Sequence, residues 1–126
     1  MGKFTFRKEE RLRKEIDIQE LFDKGSSFYL FPFKVIVRVH THAESPVHQI
    51  LISVSKRHFK RAVDRNLIKR RMREAYRLQK ELLNASPAKL QLAFVYSHKE
   101  ILPFDDIKKK MQQCLLRVPK MLTPAV

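Results

Sequence analysis

Apolar residues recur along this chain with two different periods, and the switches between them divide it into elements. In "RKEIDIQELFDKG", Ile18, Leu21 and Phe22 share one face at helical spacing, and Gly25 stands where such a helix would stop. Alternation then takes over. In "FPFKVIVRVH", Phe33, Val35, Val37 and Val39 point one way while Lys34, Ile36 and Arg38 point the other, as in a strand. "THAESPVH" is a connecting loop, and "QILISVS" is a short, nearly continuous apolar run of the kind expected in the middle of a sheet. Helical spacing returns from about Asp64 to Leu83. "NASPAK" breaks the chain, "LQLAFVYS" supplies another strand, and a last helix starts near Pro103. Its positions Ile107, Met111, Cys114, Leu115 and Val118 form a core-facing stripe, and Pro119 is expected to end it. The order is α-β-β-β-α-β-α if "FYLF" forms its own strand, and α-β-β-α-β-α otherwise. Both imply an α+β sandwich: a sheet of about four strands with three helices packed on it.

Length and composition fit one folded unit. A chain of 126 residues, 44% hydrophobic and with two glycines, can bury a core without metals or disulfides. The expectation is a single domain over residues 1–126, with an ordered core over about 10–118 and flexible ends. The N-terminus lacks the apolar region of a secretory signal, and "FYLFPFKVIVRV" is interrupted by Pro32, Lys34 and Arg38, which rules it out as a membrane span. One cysteine, Cys114, suits a reducing compartment, so the cytoplasm is expected.

Charge changes the picture most. The net charge is +14, and the segment 56–77 holds ten basic side chains against Asp64 and Glu74, a net of +8. On a helical wheel, Ile68, Met72, Ala75, Tyr76, Gln79, Leu82 and Leu83 form a buried face. Beside it Asn66, Lys69, Arg70, Arg73 and Arg77 make a continuous ridge, flanked by Arg65, while Arg71 lies off to the other side. The i,i+4 series Arg65, Lys69, Arg73, Arg77 costs an isolated helix about 1 kcal/mol in repulsion, and no carboxylate is placed on that face to relieve it. A polyanion turns that cost into affinity. Lys56, Arg57 and Lys60 add charge at the helix approach, where backbone N–H groups also favour phosphate. Heptads, zinc ligands and a helix-turn-helix partner are all missing, which leaves RNA a better fit than DNA.

Other candidate chemistry is thin. His40, His42 and His48 cluster around a loop with Glu44 alone for support, so no metal site is expected. His58 could act as an acid or base but lacks a second catalytic residue. Asp105 and Asp106 sit where a helix N-terminus favours carboxylates. No catalytic residue is expected in this chain.

"SVSKRHFKRAVDRNLIKRRMREAYR" resembles the signature of the bacterial ribonuclease P protein subunit. Ser55, Lys56 and Arg57 match its Ser-Lys-(Lys/Arg) turn, and Ala62, Val63, Arg65, Asn66, Lys69, Arg70, Arg73 and Tyr76 match the basic helix. "RLRKEIDIQELFDKGSS" is similar to the family's first helix and Gly-Ser turn. The resemblance implies a left-handed β-α-β crossover. It also implies a catalytic RNA partner, which with its bound Mg²⁺ removes the 5′ leader of precursor tRNA while the protein grips that single-stranded leader. Carried over by position, Lys56, Arg57, Arg65, Asn66, Lys69, Arg70, Arg73 and Arg77 are the implied RNA contacts. Ile18, Phe22 and Ile36 occupy implied leader-cleft positions usually held by aromatics, and only Phe22 keeps a ring, with Phe31 or Phe33 available to compensate. Leu67, where relatives carry Arg, lies off the ridge. No protein-bound cofactor, membrane or DNA is expected. The alternative is a structural, ribosomal-type RNA-binding protein with no substrate of its own.

Overall fold

The computed structural model describes residues 8–39, 47–86 and 88–122. After a short 3-10 turn at Lys8–Glu10 come α1 (Glu15–Lys24), β1 (Ser26–Leu30), β2 (Phe33–Val39), β3 (Gln49–Val54), α2 (Ala62–Gln79), β4 (Leu90–Tyr96) and α3 (Phe104–Leu122). "FYLF" therefore does form its own strand, and of the two orders α-β-β-β-α-β-α holds. The four strands make one mixed sheet in the order β1-β2-β4-β3, in which β3 and β4 run parallel and are joined through α2.

Two cores lie on opposite faces of this sheet. On one, Val35, Val37, Phe94 and Tyr96 pack against Ile68, Met72 and Tyr76 of α2 and Ile107, Met111 and Leu115 of α3. The helical and alternating periods read from the sequence meet here. On the other face a smaller cluster joins Leu21 of α1 and Leu12 to Ile36 and Ala93. Arg38 of β2 fastens α1 further through a 2.9 Å ion pair with Glu20. That hydrogen bond holds the Glu20 carboxyl below its ordinary range.

Several boundaries differ from the sequence reading. "QILISVS" is an edge strand, and the centre belongs to β2 and β4. It reads as central because both of its faces are covered: Ile50 and Val54 join the main core and Leu51 packs on the α1 side. Its outer edge is partly covered as well, since the Leu12 N–H donates to the Ile50 carbonyl at 2.9 Å. The basic helix begins at Ala62 and gives way at Lys80 to a 3-10 turn, on which Leu83 is buried. Pro119 does not end the last helix, which runs on to Leu122. A proline so near the end removes a single ladder hydrogen bond, and α3 is already held along its length by Ile107, Met111, Cys114 and Leu115.

Gly25 does stand at the end of α1, with its N–H donating to the Leu21 carbonyl at 2.8 Å. Its φ is −74°, so the glycine is required by space and not by a left-handed backbone. A Cβ there would lie 2.5 Å from the Leu21 carbonyl oxygen and 2.8 Å from Cγ2 of Ile36. This close approach brings α1 down onto β2 and defines one wall of the open surface described next.

Candidate nucleic-acid interface

The register fixes which side chains share the face under α1. Ser27, Ile36, Ala93 and Leu51 form one cross-strand row, and Tyr29, Lys34, Val95 and Ser53 form the next. Leu21 and Leu12 close over Ile36 and Ala93 of the first row, with Ile18 and Leu51 packed at the margin. The second row lies outside that cluster: Tyr29 and Lys34 are exposed, and Val95 and Ser53 are half-buried. An open strip of sheet thus runs beside α1, towards the end where β3 leads into α2.

At that end the 55–61 loop gathers charge. Phe59 is buried against Tyr96, with ring centroids 6.0 Å apart, and anchors the loop in the core. The Arg57 N–H donates to Ser55 Oγ at 3.2 Å and the Phe59 N–H to the Ser55 carbonyl at 3.3 Å, which folds the Ser-Lys-Arg turn. Anchored in this way, Lys56, Arg57, His58 and Lys60 are left exposed.

Arg65 and Arg77 behave differently from the rest of the ridge. One Arg65 guanidinium nitrogen donates to the carbonyls of Phe59 and Lys60 at 2.7 and 2.9 Å, so this side chain clamps the loop to α2. Arg77 pairs with Glu74, three residues earlier, and their hydrogen bond lowers the Glu74 carboxyl from its ordinary value. A carboxylate does therefore relieve the ridge at its C-terminal end, contrary to the wheel reading, because a side chain at i+3 can lean back across the turn. Arg71, off the ridge as expected, donates to the Leu102 carbonyl at 2.6 Å and ties α2 to the approach of α3. What remains without an ion pair among the described residues is Lys56, Arg57, Lys69, Arg70 and Arg73, with Asn66 exposed among them.

Arg73 also reveals partners that the sequence reading missed. It lines a depression of about 160 Å³ together with Arg11, Arg13, Leu12 and the β3 residues Ile50, Leu51 and Ile52. Arg13 and Arg73 beside an apolar floor suit a nucleotide, with phosphate on the guanidiniums and the rest on the aliphatic surface. The signal was the Arg-Leu-Arg before α1; only the bridge from Arg11 to Ile50 shows that it lies along β3.

The expected cleft residues separate into three kinds. Phe22 is 45% exposed and available. Ile18 is half-buried at the edge of the small core. Ile36 and Phe33 are corrected: Ile36 is on the expected face but only 3% exposed beneath α1, and Phe33 is fully buried in the main core on the opposite face. Strand alternation put Phe33 with Val35 and Val37 from the outset, so it cannot replace a cleft aromatic. Phe31 is 42% exposed in the β1–β2 turn and meets His98 edge to face at 4.7 Å.

His40, His42 and Glu44 lie outside the described residues. His48 is buried, and its Nδ1 accepts the Leu90 N–H at 3.0 Å, which makes it a structural acceptor. Asp105 and Asp106 lie in the first turn of α3. Cys114 is buried in the main core, and burial pushes its thiol up to about 12. Among the described residues no three His, Cys, Asp or Glu side chains come together as a metal site, and no helix is long and apolar enough to cross a membrane.

Sequence and fold are both similar to known proteins. The family profile described as Ribonuclease P covers residues 6–119 of this chain. The ribonuclease P protein component of Porphyromonas gingivalis is 36% identical over 119 residues, spanning 91% of this chain and 87% of the relative. Among solved structures, the RNase P protein of Thermotoga maritima superposes with a TM-score of 0.69 at 26% identity, over 86% of this chain and 96% of its own. That of Staphylococcus aureus gives 0.72 at 24% identity, over 90% and 98%, a likeness of fold.

Proposed function

The chain belongs to the bacterial ribonuclease P protein family, and from that premise we propose that it holds the single-stranded 5′ leader of precursor tRNA between its aromatic and basic walls. As a member it is an RNA-binding subunit of the ribonucleoprotein that processes tRNA 5′ ends. The observation that carries the leader reading is the open strip beside α1, the row Tyr29, Lys34, Val95 and Ser53, which leads into the exposed Lys56 and Arg57 of the basic loop, while α1 presents an exposed ring at Phe22. Single strands are held in this way elsewhere, by a cationic groove along the backbone and exposed rings for the bases.

Catalysis is assigned to the RNA partner. The exposed face from Lys56 to Arg73 is cationic and suits phosphate rather than a divalent cation, so Mg²⁺ is expected on the RNA. The protein's contribution is electrostatic and positional. Lys69, Arg70 and Arg73 reduce repulsion between leader and catalytic RNA, Asn66 offers a directed hydrogen bond, and the Arg65 clamp holds Lys56 and Arg57 in register with them. RNA is the expected polyanion and DNA is not, and the cytoplasm, where precursor tRNA is made, is the expected compartment.

The experiment is cleavage of precursor tRNA by the catalytic RNA, with and without this protein, across a range of Mg²⁺ concentrations. The protein should restore cleavage at low Mg²⁺ and matter little at high Mg²⁺, where free cations screen the same phosphates. Binding to the RNA with no change in cleavage at any Mg²⁺ would assign the basic face to a ribosomal-type structural role.

A further inference from the structure

Among the described residues the exposed aromatic side chains are Phe22, Tyr29 and Phe31, and all three fall within one ten-residue stretch of α1, β1 and the following turn. Tyr29 is the most open, at 57%. Its neighbour Phe28 enters the main core, so alternation turns Tyr29 to the α1 face, where it is paired across the strands with Lys34. On the same row follow Val95 and Ser53, and beyond Ser53 the chain passes into the basic loop. From Tyr29 to Ser53 is three strand spacings, about 14 Å, a span that several nucleotides of an extended strand can cross.

We infer that Tyr29 and Lys34 form a nucleotide subsite at the far end of the strip, in which the Tyr29 ring stacks a leader base and the Lys34 ammonium takes the adjoining phosphate. The inference rests on the leader reading above and adds to it a site outside the basic ridge. Charge decides the occupant. The strip is cationic at both ends, Lys34 at one and, just past Ser53, Lys56 and Arg57 at the other, and it carries the exposed ring of Tyr29. Ile36 lies beneath α1 and Ile18 at its margin, packed in the small core, whereas Tyr29 lies one row further along and keeps its face in solvent. Tyr29 thus adds a second exposed ring to that of Phe22 on α1.

The test measures affinity of the assembled protein and catalytic RNA for precursor tRNA with a long leader and with the leader removed. Tyr29→Ala should weaken binding of the leader-bearing substrate about tenfold, the scale of one base–aromatic stack. It should leave the leaderless substrate unchanged, which also reports an intact fold. Tyr29→Phe, which keeps the ring, should bind as the unaltered protein does. Lys34→Ala should make the salt dependence shallower by about 0.7 in log–log slope, one single-strand phosphate. If the unaltered protein favours the leader-bearing substrate and Tyr29→Ala does so equally, the subsite is overturned while the leader reading stands. If the unaltered protein shows no preference for a leader, the strip has no such occupant and the subsite falls with it.

Discussion

Replacing Lys69, Arg70 and Arg73 together by alanine is expected to stabilise the isolated protein slightly and to cost it most of its grip on RNA. The three are side by side on α2, make no ion pair among the described residues, and do not enter the core. Alanine is the best helix former, and the change removes the like-charge pair Lys69 and Arg73, so thermal unfolding should occur at the same temperature or higher. Each lost phosphate contact is worth about 1.5 kcal/mol, so three together weaken RNA binding by on the order of a thousandfold at low salt. The log–log salt slope should be shallower by about 2 to 3. Opposite signs for stability and affinity separate a binding surface from a structural one. Equal affinity for the variant and the parent would show that this face meets only water.

The second large effect is on stability against pH, and it comes from His48. Burial, with help from Lys89, lowers this imidazole from the ordinary 6.5 to about 4. The geometry agrees, since Nδ1 accepts the Leu90 N–H at 3.0 Å and a proton there would set two donors against each other. The unfolded chain takes up that proton near pH 6.5 and the folded protein only near pH 4, so the unfolded state is the more protonated between these values. Stability is then complete above about pH 6.5 and falls on acidification, by about 3 kcal/mol once pH 4 is reached. Urea unfolding measured across this range should show the loss. His48→Ala should be less stable at neutral pH by about 1–3 kcal/mol, because the Leu90 N–H loses its acceptor, and should lose the slope between pH 6.5 and 4. A variant that keeps the slope would place the titrating group elsewhere.

The parts of this fold that were legible in the sequence are those governed by short-range periodicity. The faces of α2 came from 3.6-residue spacing, and Ile68, Met72, Ala75 and Tyr76 are buried as that spacing requires. Period-two alternation likewise placed Phe33 on the face of Val35 and Val37, and the structure keeps it there; only its assignment to the cleft, made by resemblance, was at odds with the pattern. Strand order was not legible. Nothing local distinguishes β3 from a central strand, because a parallel edge strand covered on both faces is as apolar as a central one. Side-chain commitments were equally hidden. Arg65 and Arg77 look like any other cations on a wheel, and only three-dimensional contacts show one clamping a loop and the other paired with Glu74. Arg11, Arg13 and Tyr29 carry no local signal, because their surroundings are set by what lies beside them across the fold, a long-range fact that a linear pattern does not carry.

The most direct test of the leader strip is cross-linking from the leader itself. Precursor tRNA carrying photoreactive bases along its leader would be bound to the protein and catalytic RNA, irradiated, and the adducts mapped to peptides. Adducts are expected at Phe22, Tyr29 or Lys34 from bases far from the cleavage site, and at Arg73, Arg11 or Arg13 from others along the same leader. Leader adducts confined to the outer surface of α3, around Lys109 and Gln112, would contradict the strip as the leader's path.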